Sequence, residues 1–271
     1  TLADITHLRK LCGAGMMDCK NALIEAENDL EKAMEIIRKR GQAIAAKRSD
    51  REASEGCVLA ADHGEYAAVV ALKCETDFVA KNADFIALTQ SILETSFDKE
   101  AASLEDLLKA QMEDGRTVAE HITDRSGITG EKMELGYYEY VNGAATVSYI
   151  HPGNKLATIV AFNKPLERQV GREVAMQVAA MNPVAITPAD VPQKVIDTEL
   201  EIARDKAREA GKPENMLDRI AQGALQKFYK ESTLLQQEFV KDSKLTIEQY
   251  LKQQDKDLTV TAFKRVTLNV D

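Results

Sequence analysis

Residues 66–81 read YAAVVALKCETDFVAK. The run from Tyr66 to Cys74 is apolar and short, the pattern of a strand, and Thr76 directly after it has the side chain to cap a helix. A strand passing straight into a helix commits this part of the chain to mixed structure. Upstream, Gly56 to Ala61 is a second strand pattern, and Asp62-His63-Gly64-Glu65 between the two is hairpin-turn chemistry. Downstream, the helical pattern continues to about Phe97. Phe78 sits where that helix starts, and spacing alone leaves two readings open: a core aromatic, or an exposed wedge.

The same order recurs further on. Strand patterns cover Glu131 to Val141, Ala144 to Ile150 and Leu156 to Asn163, joined by Asn142-Gly143 and by His151-Pro152-Gly153-Asn154. A helix carrying Val170, Val174 and Val178 follows. The units Val69–Leu93 and Thr158–Met181 share order and rough length, as two related halves would. Between them, Ser103 with Asp106 starts one short helix and Thr117 another. Residues Gln193–Ala210 and Glu214–Lys230 are two helical patterns broken at Gly211-Lys212-Pro213, which predicts an antiparallel hairpin. Thr246 with Gln249 is a further capping box, and Leu258, Val260, Ala262, Val266, Leu268 and Val270 predict a final strand. Lys264 interrupts that alternation, as at an edge or a bulge.

At the start of the chain, Ile5, Leu8 and Leu11, then Met16, Leu23 and Ile24, then Leu30, Ala33, Met34, Ile36 and Ile37 mark three short helices. Asn28-Asp29 caps the third, and Gly41 after Arg38-Lys39-Arg40 reads as its stop. Residues 42–54, alanine-rich and basic, read as a linker. The expected class is therefore α+β: a three-helix module (1–41), the linker (42–54), a two-part core of antiparallel sheets with flanking helices (55–130 and 131–192), a protruding helical hairpin (193–230), and a return to the core (231–271).

Composition narrows the function. With 271 residues, 44% hydrophobic and 29% charged, the chain is ordinary globular material for about two domains. A net charge of −9, from 35 Lys+Arg against 44 Asp+Glu, disfavours wholesale attraction to nucleic acid or anionic lipid. The purely aliphatic run Ala67–Leu72 falls far short of the ~20 residues of a membrane span. Thr1–Ile5 has neither the basic start nor the apolar stretch of a secretory signal, so the expected location is cytoplasmic.

Tests for chemistry come back empty. Gly13-Ala14-Gly15 lies between helices rather than after a strand, unlike a phosphate loop. His7, His63, His121 and His151 have no nucleophile motif beside them, and Glu113-Asp114 reads as surface charge. His7, Cys12 and Cys19 can be written as a zinc site, but their spacing fits no common finger, and Cys12, Cys19, Cys57 and Cys74 are expected as reduced thiols. Arg38-Lys39-Arg40 and Lys47-Arg48 lack the aromatics that single-strand binding needs. No catalytic residue, cofactor or bound metal is expected.

Two segments together, Leu8 to Leu23 (LRKLCGAGMMDCKNAL) and Glu75 to Lys81 (ETDFVAK), resemble the two signatures of the bacterial translation elongation factor Ts family. Ala175 to Ala180 and Thr259 to Val266 extend the resemblance along essentially the whole chain. It implies a guanine-nucleotide exchange factor without covalent chemistry that binds elongation factor Tu and opens its GDP site. By resemblance the first module is ubiquitin-associated-like and docks on the partner's G domain, placing Arg9, Gly13, Ala14, Gly15 and Met16 at the contact. Thr76, Asp77, Phe78 and Val79 form the wedge, with Asp77 and Phe78 pushing between partner helices near the partner's magnesium, and His151 reaches the partner from the second half. The implied partner is a protein, with no direct nucleic-acid or membrane contact; a homodimer through the helical hairpin is left open. Ala71 and Gln177 depart from residues common in the family, Glu and His, and Pro152 follows His151; the sequence stops at Asp271, just past the expected final strand, where some members continue into a further helix. The competing readings are a non-catalytic scaffold or chaperone-like binder, and an enzyme using Cys74 or His151.

Overall fold

The structure is a computed structural model that describes residues 1–269; Val270, expected in the last strand, lies outside the described residues. The chain opens with α1 (Leu2–Cys12), α2 (Met16–Glu25) and α3 (Leu30–Lys47). It continues through β1 (Glu55–His63), β2 (Tyr66–Cys74), α4 (Asp77–Ala80), α5 (Ala83–Lys99), α6 (Leu104–Lys109), α7 (Val118–Thr129) and β3 (Glu134–Asn142). The second half comprises β4 (Ala145–Ile150), β5 (Leu156–Phe162), α8 (Arg168–Met181), α9 (Gln193–Glu209) and α10 (Leu217–Ser232), then β6 (Glu238–Phe239), β7 (Asp242–Thr246), α11 (Ile247–Gln254) and β8 (Val260–Thr267). The class is α+β, as expected.

Two three-stranded antiparallel sheets, β1-β2-β3 and β4-β5-β8, form the core. They pack face to face. Val58, Ala60, Ala67, Val69 and Ala71 of the first meet Ala157, Ile159, Ala161 and Val266 of the second. Alanine dominates this layer, which lets the two backbones approach. The outer face of the first sheet, with Leu59, Val70 and Leu72, packs on Phe85, Ile92 and Leu93 of α5. The outer face of the second, with Val147, Val160 and Phe162, packs on Val170, Val174 and Val178 of α8. The central strands β2 and β5 are thus covered on both faces, which is why they read as continuous apolar runs rather than alternations. β2 leads into α5 and β5 into α8, each helix covering the outer face of its sheet, while β3, from the segment after residue 130, joins the first sheet.

Local chemistry sets the helix starts. Thr117 and Thr246 make reciprocal capping boxes with Glu120 and Gln249, while Asp29 and Ser103 accept from the third helical N–H. The helices α9 and α10 pack together as the expected hairpin. β8 is an edge strand, the first of the two readings of Lys264; the register slips instead opposite Ala161 and Phe162 of β5, between Val260 and Ala262 of β8, while Lys264 pairs in register with Ile159. Among the described residues no helix is long and apolar enough to cross a membrane.

Three expectations need correction. Gly41 does not end α3, which runs on to Lys47, so the first half of the expected linker is helical. Gly41 marks a helix crossing instead: a Cβ added at Gly127 of α7 would lie 2.2 Å from the Gly41 Cα. Asn142-Gly143 does not close a hairpin but carries the chain from one sheet to the other, with the Gly143 amide donating to the Glu65 carbonyl at 3.0 Å. A side chain at Gly143 would press on Ala161 and the Phe162 carbonyl. Finally, the helical module buries Leu8, Cys19, Ala22, Leu23 and Ala33, whereas Leu11, Met16 and Ile24 are exposed. Three short amphipathic helices offer more apolar positions than their small core can cover.

Candidate protein-interaction site

The decisive turn follows β2. The Thr76 hydroxyl accepts from the Val79 amide at 3.3 Å and starts the single-turn helix α4. Val79 and Ala80 turn inward and are buried, so Asp77 and Phe78 are left outside. Phe78 is 82% exposed, which excludes the core reading. A Phe side chain forgoes roughly 1.5–3 kcal/mol by staying in water, and here it stands beside the exposed Thr76 and Asp77 while Val79 and Ala80 of the same turn are buried. Asp77 and Lys81 pair across one helical turn at 3.7 Å.

That turn is braced from two directions. The Glu131 carboxylate, just past α7, accepts from the Glu75 amide (3.0 Å), the Thr76 amide (2.9 Å) and the Thr76 hydroxyl (2.7 Å). The Glu75 carboxylate accepts from the Lys132 amide (2.7 Å) and from both sides of the Arg48 guanidinium (3.0 and 2.5 Å). Hydrogen bonding by Arg48 holds the Glu75 carboxyl below the ordinary carboxylate range, and Glu75 in turn raises Arg48. Sequence reasoning missed Arg48 and Glu131. Arg48 lies 27 residues before Glu75, in the supposed linker, and Glu131 lies 55 residues after Thr76, so no local pattern ties them to the turn.

His151 sits at the same end of the core. Lys155 bonds Glu55 at 2.7 Å, which raises the Lys155 ammonium above its ordinary range with Asp77 a smaller contributor, and Glu55 pairs in register with Cys74. The Asn154 carbonyl accepts from Val58 at 2.7 Å, tying the 151–154 turn to β1. His151 itself is exposed, its Nδ1 at 2.9 Å from the Tyr149 hydroxyl, and Arg172 lies over the Tyr149 ring. Pro152 is compatible with this turn: the His151 amide still donates to Leu156 and the Asn154 amide to His151.

The helical module places its residues differently from one another. Arg9 and Met16 are exposed, as are their neighbours Leu11 and Met17, whereas Ala14 is buried in the module's core. Gly13 takes the left-handed conformation that closes α1, and Gly15 starts α2. Beside the α3–α7 crossing, a cavity of about 590 Å³ opens between the module, α5 and α7, lined among others by Arg9, Cys12, Gly13, Arg38, Asp84 and Arg125. The zinc trio does not assemble: among the described residues no group of three His, Cys, Asp or Glu side chains could hold a metal. The departures Ala71 and Gln177 are both fully buried. Gln177 bonds Gln237, the Glu238 carbonyl and the Val240 amide, fastening the β6–β7 hairpin to α8.

The family model described as elongation factor TS matches residues 75–269, from Glu75 of the braced turn through the final strand. A protein named elongation factor Ts from Porphyromonas gingivalis is 71% identical over 271 residues, covering 100% of this chain and 99% of that protein. The chain belongs to the elongation factor Ts family. An elongation factor Ts from Azobacteroides pseudotrichonymphae is 55% identical over 272 positions, and one from Phocaeicola vulgatus is 48% identical over 328, each covering 100% of this chain and 99% of its own length. The elongation factor Ts match begins where the core's exposed turn begins, and the full-length relatives add the helical module to it. Membership makes this chain a translation elongation factor by descent and gives Phe78 a context that spacing alone did not.

Proposed function

We propose that this chain is a cytoplasmic guanine-nucleotide exchange factor that binds elongation factor Tu and accelerates GDP release, with Phe78 as the inserted wedge. The observation that carries the proposal is an aromatic 82% exposed on a turn whose backbone is fixed by Glu131 and Glu75. A wedge needs both properties: apolar area to bury in the partner, and a rigid mount that transmits force instead of folding back.

Thermodynamic linkage sets the scale. A factor that weakens GDP binding is itself weakened to the same degree by GDP, and a ~10⁴-fold effect requires about 5.5 kcal/mol of differential interaction. Burying Phe78 supplies roughly 2–3 kcal/mol. The remainder comes from displacement of the partner's magnesium near Asp77 and Phe78, and from a broad interface. Arg9 and Met16, with the Gly13-Ala14-Gly15 turn setting their helices, serve that interface on the module, while His151 serves it on the core. Thr76 and Val79 act by shaping the turn. The chain supplies no cofactor and forms no covalent intermediate; the only metal involved belongs to the partner.

The test is stopped-flow release of a fluorescent GDP analogue from purified elongation factor Tu, with this protein at substoichiometric concentration. Acceleration with turnover is the expected result. Binding without acceleration would reduce the protein to an interaction module.

A further inference from the structure

Two thiols of the helical module face one another. Cys12 is the last residue of α1 and Cys19 lies in the second turn of α2, and their sulfurs are 3.8 Å apart across the Gly13-Ala14-Gly15 turn. A disulfide needs about 2.05 Å, so closure requires an approach of under about 2 Å. The three-residue turn between them contains two glycines, and the module's small core gives α1 only a few side chains to repack. The other two cysteines are placed differently: Cys57 and Cys74 are wholly buried under α5, with the Cys74 thiol donating to the Thr76 carbonyl at 3.2 Å.

The two partners are unequal. Cys12 is only half-buried and lines the cavity of about 590 Å³ between the module and α7, together with Arg9, Arg38 and Arg125. That cavity is the face from which a small solute would approach the Cys12 sulfur. Cys19 is fully buried, and burial, then the neighbouring Cys12, pushes its thiol up to about 12. Cys12 is thus the more accessible and attacking thiol, and Cys19 is placed to resolve what forms on it.

We propose that Cys12 and Cys19 form a reversible modification site that closes to an intramolecular disulfide on reaction with a small-molecule disulfide. The Cys12 thiolate attacks one sulfur of the reagent; a mixed disulfide forms, and one thiolate leaves. Cys19, losing its proton to solvent, then attacks the Cys12 sulfur, and the second thiolate leaves. The protein loses two electrons and two protons, and one reagent disulfide becomes two thiols. The product ties the end of α1 to α2 and fixes the turn between them.

Trypsin releases both cysteines on one peptide, Leu11–Lys20, which contains no other thiol. The full chain is incubated with oxidised glutathione, alkylated, digested and weighed. The expected result is a Leu11–Lys20 peptide two hydrogens lighter than the reduced, unalkylated peptide, restored by dithiothreitol, while Cys57 and Cys74 are alkylated only after unfolding. Cys19→Ser is expected to stop at the mixed disulfide on Cys12, and Cys12→Ser to give no modification of Cys19. A stable glutathione adduct on wild-type Cys12, a disulfide-linked dimer, or two free thiols after prolonged incubation would each overturn the proposal. This readout is independent of any partner. Where the docking role of the Arg9–Met16 region holds, the bridged form exchanges more slowly and dithiothreitol restores the rate; an unchanged rate with a verified bridge counts against that docking role and not against the bridge.

Discussion

Replacing Glu131 by Ala removes one brace of the turn that carries Phe78 without touching Phe78 itself. Three donors lose their acceptor: the Glu75 amide, the Thr76 amide and the Thr76 hydroxyl, at 3.0, 2.9 and 2.7 Å. Hydrogen bonds to a charged group contribute roughly 1.5–3 kcal/mol each when well buried. Thr76 is open to solvent, so water replaces much of this, and the expected loss is about 2 kcal/mol in all. For a chain of this size that corresponds to a fall in Tm of roughly 4–8 °C. If the same energy holds the turn in its competent form, the competent population falls by at most ~30-fold, and the exchange rate with it. Glu131→Gln keeps the shape and one acceptor oxygen, and is expected to lie between wild type and Glu131→Ala in both measurements. Thermal unfolding and stopped-flow GDP release on the same preparations provide the check. A variant that melts lower yet exchanges at the wild-type rate would refute the idea that the brace serves the wedge.

Other consequences follow from the packing. Gly127→Ala places a Cβ against the Gly41 backbone and forces α3 from α7, with an expected cost of about 3 kcal/mol, visible as an earlier transition in urea. Arg48→Met removes the partner that holds Glu75 ionised. Because the folded Glu75 carboxyl titrates below its ordinary 4.5, its stabilisation is complete above that pH and is lost as pH falls through the folded value. Urea midpoints measured downward from neutral pH are therefore expected to fall less steeply with acid in Arg48→Met than in wild type; parallel curves would remove Glu75 from the account. Gln177→Ala leaves the Gln237 side chain and the Val240 amide without their partner, and is expected to destabilise the chain by roughly 1–3 kcal/mol, measured as a lower Tm with exchange activity retained at a permissive temperature.

Much of this architecture is written locally. Thr76, Thr117 and Thr246 announce their helices because a cap is a contact within three residues, and Tyr66–Cys74 announces a strand because both its faces are covered. What local reading missed depends on contacts made at a distance. Gly41 has the surroundings of a helix stop, and only Gly127 of α7 shows that it is a crossing point. Asn142-Gly143 has hairpin chemistry, but β3 pairs with β2 and β4 with β5, so the turn bridges two sheets. Residues 42–54 look idle because they carry no large apolar side chain beyond Ile44, yet Arg48 reaches Glu75 of the Phe78 turn through charge. At the site, the Glu75–Lys81 signature was legible while its mount was not. Phe78 was ambiguous until the inward turn of Val79 and Ala80 showed which way it faces.

The central claim is that Phe78 is built for contact and not for stability. Phe78→Ala tests it most directly, with Tm and stopped-flow GDP release from elongation factor Tu measured together. The account predicts a Tm within about 1–2 °C of wild type, since an exposed position contributes within ~0.5 kcal/mol, together with loss of most of the exchange acceleration. Wild-type acceleration from the variant, or a Tm lowered to the extent that a Phe→Ala cavity of 3–5 kcal/mol would produce, would contradict it.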